Sequence, residues 1–129
     1  MFSGVAEVMY FVSDPKLAAE WYSRFFDIEI TVLANPDYFF VKVGEQEVWF
    51  HQADDKVPSG VAGHVAYWQV DDFDAVLERA ITLGAVLYRG PLDRKDGSYM
   101  CQVKDPFGNL IGFIGPSVKM MSENSNLDN

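Results

Sequence analysis

The side chains that could do chemistry in this chain are few and scattered. Glu7 is the sharpest candidate, because it interrupts an otherwise nearly unbroken apolar run over residues 5–12. A carboxylate buried in such a run must be paired, hydrogen-bonded or protonated. It can then act as a general base or anchor a donor group of a bound molecule. At a strand end it would simply reach solvent or pair with an arginine. His51 follows Trp49 by two positions, so strand alternation places both on one face. It is either a base or ligand there, or merely the point where a strand meets a linker. His64, beside Gly63 at a strand entry, reads as structural. Cys101 is the single cysteine, so no internal disulfide forms and a reducing cytoplasm is implied. Its apolar flanks and lack of a basic neighbour suit an inert strand residue rather than a nucleophile. Arg89, Arg94 and Lys95 fall in a Gly- and Pro-containing stretch over 89–98. That stretch could meet an anionic group, but it reads first as an ordinary solvated loop.

The elements that position these residues follow from periodicity. Residues 5–12 make a strand covered on both faces. Asp14-Pro15 then opens a helix, with aspartate as cap and proline in the first turn. Leu17, Trp21 and Phe25 predict its buried stripe, and Trp21, Tyr22, Phe25 and Phe26 read as packing. Strands are expected over 28–33, 38–43 and 46–51, with a turn at Asn35-Pro36-Asp37. Residues 53–63 have linker composition. The pattern then restarts: a strand over 65–70, Asp72 as cap, a helical stripe of Phe73, Val76, Leu77 and Ala80, and Gly84 as its stop. Further strands are expected over 85–89, 99–104 and 109–114. The last two are joined by Asp105-Pro106-Phe107-Gly108-Asn109, a tight turn.

Asp14 and Asp72 stand 58 residues apart, and the order of elements repeats at that spacing. The fold class is therefore α+β, from tandem βαβββ units over 1–58 and 59–116. Residues 117–129, rich in Ser, Asn and Asp, are expected to be a mobile tail.

Composition narrows the partners. The chain of 129 residues suits one compact body with a real core. Its net charge of −9 argues against nucleic acid. No apolar run is long enough to span a bilayer, and no membrane partner is expected.

Two βαβββ units ending in Asp105-Pro106-Phe107-Gly108-Asn109 resemble the vicinal oxygen chelate superfamily, which includes glyoxalase I, bleomycin-resistance proteins and ring-cleaving dioxygenases. Phe11-Val12-Ser13-Asp14 leading into Trp21-Tyr22, and the segment from Tyr67 through Ala75, add to the match. The resemblance implies a cupped, barrel-like mixed sheet with helices outside, and a homodimer. It also implies a divalent metal held by four inward side chains. The four positions here are Glu7, Trp49 (with His51 on the same face), Val65 and Gly112, so three expected ligands are absent. The metal site is expected to be degenerate, with no cofactor and a divalent ion disfavoured.

Alternation from Glu7 and Val65 turns Met9, Phe11, Trp49, Tyr67 and Gln69 toward the implied cavity. They offer flat apolar surfaces for a planar ligand, or they are plain core. The expected function is capture of a small planar or aromatic molecule, as in the bleomycin-resistance branch. The alternative is a lyase or isomerase using Glu7 as acid or base, with a non-standard metal at His51.

Overall fold

The structure, a computed structural model, describes residues 1–32 and 39–127. The expected turn at Asn35-Pro36-Asp37 lies outside them, as do Leu33 and Tyr38. The chain divides into two compact units, Met1–Gly60 and Val61–Asn129. Each forms its own four-stranded mixed sheet among the described residues. No helix of the described residues is long and apolar enough to cross a membrane.

The first unit runs β1 (Glu7–Val12), α1 (Pro15–Phe26), β2 (Ile30–Val32), β3 (Phe39–Val43) and β4 (Gln46–Gln52). Its sheet has the order β1-β4-β3-β2, with β1 and β4 parallel and the other pairs antiparallel. Asp14 caps α1, its Oδ1 accepting from Leu17 N at 3.1 Å. Asp27 ends the helix with φ 58°, in the left-handed region where glycine is easier. Alternation gives the sheet a helix face of Tyr10, Val12, Val41, Val48 and Phe50, all buried. On it lie Ala18, Trp21, Tyr22 and Phe25. Tyr22 is the hub, with ring centroids 5.2 Å from both Tyr10 and Phe50. Leu17, expected in that stripe, is 53% exposed. The buried face is set by Ala18, Trp21, Tyr22 and Phe25, and Leu17 stands beside it in the first turn.

The second unit runs β5 (Tyr67–Gln69), α2 (Phe73–Thr82), β6 (Val86–Asp93), β7 (Ser98–Lys104), β8 (Leu110–Pro116) and α3 (Val118–Leu127). Its sheet order, β5-β8-β7-β6, repeats that of the first. Asp72 caps α2 as Asp14 caps α1, with Oδ1 accepting from Ala75 N at 3.1 Å. The helix stops in a Schellman arrangement: Ala85 N donates to Ala80 O, and Gly84 N to Ile81 O. Phe73 packs on Phe113 at 5.4 Å between centroids, over a helix face that includes Tyr99, Cys101, Val103 and Ile111.

The turn between β7 and β8 is held by the buried Asp105. Its Oδ1 accepts from Phe107 N at 2.8 Å and Asn109 N at 3.0 Å. Gly108 supplies the positive φ, at 93°.

Two expectations need correction. The expected tail from residue 117 opens a helix instead. Ser117 is fully buried; its Oγ donates to Asp74 Oδ1 at 2.7 Å and accepts from Met120 N at 3.0 Å. That serine caps α3 and ties it to α2, which composition could not reveal. Strand β6 was expected to end at residue 89, yet it continues to Asp93. Register shifts on either side of Arg89 carry it past Gly90-Pro91.

Candidate functional site

In each unit the sheet has a second face, opposite its helix. In the first unit β1 pairs with β4 so that Glu7 faces Glu47, Met9 faces Trp49 and Phe11 faces His51. Phe40 lies opposite Trp49 from β3, and the two rings stack at 4.6 Å with 14° between planes. Trp49 Nε1 donates to Glu47 Oε1 at 2.9 Å. The Phe11 and His51 rings lie 5.2 Å apart, and His51 Nδ1 is 2.9 Å from Gln52 O. Met9, Phe11, Trp49 and His51 therefore share one half-open aromatic surface.

Glu7 shares that face but is exposed. It is the first residue of an outer strand, so the apolar run around it does not bury it. Glu7 lies four positions before Phe11, the partner of His51. At strand rise that is about 13 Å, too far for Glu7 and His51 to grip one atom. His64 is exposed too, ahead of β5.

In the second unit one row crosses all four strands. Tyr67 pairs with Gly112, Gly112 with Gln102, and Gln102 with Arg89. The next row is Gln69, Ile114, Met100 and Leu92. Directly paired residues point to the same side, so these side chains form a single face. Gly112 leaves a gap in it, and the Tyr67 ring fills that gap. A Cβ on Gly112 would lie 2.6 Å from two ring carbons of Tyr67. The ring reaches across to Gln102, whose Nε2 donates to Tyr67 Oη at 2.7 Å.

Beside this row lies a cleft of about 480 Å³, lined by Tyr67, Arg89, Leu92, Met100 and Gln102 over the Gly90-Pro91 backbone. That volume is in the range of small-molecule sites. Gly90 has φ 92°, and a Cβ there would meet Met100 O at 2.8 Å, so only glycine lets β6 pass so close. Cys101 borders the cleft, but alternation turns its side chain to the helix face. Burial pushes its thiol up to about 12. That is unfit for a thiolate nucleophile.

The donor set for a metal can be judged from these positions. Gly112 has no ligand atom and its space is taken by Tyr67. The resemblance expects further ligands at Trp49 and Val65, whose side chains carry no usual metal donor. Among the described residues, no three His, Cys, Asp or Glu side chains gather as they would around a metal ion. These residues do not make the four-ligand set expected of the resemblance.

The family model of the Glyoxalase/Bleomycin resistance protein/Dioxygenase superfamily matches residues 4–113. The chain belongs to that superfamily. No curated protein matches it significantly. Solved structures do. The fosfomycin resistance protein FosX from Mesorhizobium loti superposes with a TM-score of 0.70 at 18% identity, over 95% of this chain and 99% of that one. TnmS3, an antibiotic binding protein from Streptomyces sp. CB03234, gives 0.70 at 22% identity, over 90% and 98%. Lactoylglutathione lyase from Agrobacterium tumefaciens gives 0.64 at 20% identity, over 88% and 93%. At such identities the likeness establishes the shared fold.

Of the residues expected from sequence, Glu7, Met9, Phe11, Trp49 and His51 share one face of the first unit, and Tyr67 and Gln69 share one face of the second. Gln102 and Met100, which line the cleft, were not among the residues expected from sequence, and Arg89 was named only within a loop that could meet an anion. The alternation of Gln102 with Met100 along β7 was a usable signal. Arg89 was not, because its strand runs through a bulge.

Proposed function

We propose that this superfamily member binds a small planar molecule on its open sheet faces, chiefly at the Tyr67 cleft, without a metal. The observation that carries the reading is the Tyr67 ring lying over Gly112. That arrangement presents a flat apolar surface where a carboxylate ligand would otherwise project. Aromatic faces of this kind suit planar ligands, with the Tyr67 hydroxyl and Gln102 amide to orient them. The stacked Phe40–Trp49 pair offers a similar surface in the first unit. The fold is shared with an antibiotic binding protein, which fits a capture role. A cytoplasmic homodimer completes the reading, supported by the single cysteine and the family resemblance.

The test is calorimetric titration of the whole chain with 2-naphthamide, a neutral planar probe. One saturable site per chain, lost in Tyr67→Ala, supports the reading. No saturation, or equal binding by the variant, rejects it.

A further inference from the structure

We propose that the second unit's cleft selects aromatic carboxylates, with Arg89 as the counter-charge. This rests on the planar-ligand reading above and goes beyond it in naming the ligand class.

Arg89 is held in the sheet between two irregularities of its strand. Register shifts fall on both sides of it, between Leu87 and Arg89 and again between Arg89 and Leu92, yet Arg89 itself stays paired with Gln102. Bulges re-aim side chains and gather beside functional sites. Here two irregularities leave one residue in register, at the end of the row that begins with Tyr67. The position is built, and not merely a place where a loop happens to carry charge.

Its charge is also uncompensated. Among the described residues, Arg89 is the only charged one lining the cleft. No ion pair engages it among the described residues. In a chain of net charge −9, with many carboxylates at hand, an unneutralised arginine beside an apolar cleft is ready for an outside anion.

The neighbouring polar groups complement the same ligand. Tyr67 Oη accepts from Gln102 Nε2 at 2.7 Å, so its own hydrogen is directed elsewhere and can be donated. A carboxylate meeting Arg89 would then find guanidinium donors and a hydroxyl donor on one side of the cleft. Met100, Leu92 and Pro91 supply apolar contact for the ring that carries it.

The matched pair 2-naphthoate and 2-naphthamide tests this, since both present the same ring. Calorimetry on the whole chain should show 2-naphthoate tighter by roughly fivefold to tenfold, the margin of one charge-assisted contact at a partly exposed site. Raising the salt should narrow that margin. In Arg89→Gln, 2-naphthoate should weaken to the level of 2-naphthamide. Equal affinity of the two probes for the wild-type protein, or a preference that survives in Arg89→Gln, overturns the carboxylate inference and leaves planar binding standing. Saturable binding of neither probe overturns both.

Discussion

The ring of Tyr67 occupies the space in which any side chain at Gly112 would have to begin, its nearest carbons 2.6 Å from where that Cβ would sit. Tyrosine and glycine face each other across the β5–β8 pair, and each requires the other. Gly112→Ala should therefore destabilise the protein by about 1 kcal/mol, by forcing the part-exposed Tyr67 ring off its resting place. Combined with Tyr67→Ala, the same substitution should cost far less, giving a coupling of up to about 1 kcal/mol in a denaturation cycle. Additive effects would mean that the ring does not rest on Gly112 in solution.

The turn that joins β7 to β8 depends on one carboxylate. Asp105 is 4% exposed, and Asp105→Ala would strip the acceptor from the backbone N–H groups of Phe107 and Asn109. Two such groups left unsatisfied should cost about 3 kcal/mol in urea denaturation. Asp105→Asn keeps an Oδ1 acceptor and should lose about 1 kcal/mol. Equal losses in the two variants would contradict this account of the turn.

Cys101 gives a pH signature. Burial raises its thiol from the ordinary value of 9.0 to about 12. The folded state thus keeps a proton that the unfolded chain releases. Its contribution to stability is complete below pH 9 and is lost as pH rises toward 12. Across that window the wild-type protein should lose stability more steeply than Cys101→Ala, by up to about 1.4 kcal/mol per pH unit. Taking the difference in slope removes other groups that titrate there. Parallel slopes would mean the thiol ionises normally in the fold.

Much of the fold was legible because local signals were strong and agreed. Asp14 and Asp72 cap their helices with nearly the same backbone, φ −141° and ψ 96° against φ −141° and ψ 95°. The 58-residue repeat visible in the chain is thus a repeat of geometry. Strand pairing puts Met9, Phe11, Trp49 and His51 on one face of the first sheet, and Tyr67 with Gln69 on one face of the second.

What sequence could not supply was anything set by distant packing. Sequence left Glu7 between a buried acid and a strand-end residue reaching solvent; it begins an outer strand and is exposed. Ser117 looked like tail, but Asp74 from α2 holds it in place. Arg89 looked like the start of a loop, since Gly90-Pro91 normally ends a strand. The bulged continuation of β6 is what puts it opposite Gln102, and a bulge breaks the period from which a face is read.

The proposed capture of planar ligands at the Tyr67 cleft needs no metal. Titration of 2-naphthoate into the whole chain before and after exhaustive dialysis against EDTA tests it most directly, with elemental analysis of the dialysed protein. Unchanged affinity and stoichiometry after dialysis are predicted, with no gain on adding back Zn²⁺, Ni²⁺ or Mn²⁺. Binding that vanishes on chelation and returns with one equivalent of a divalent ion would contradict it.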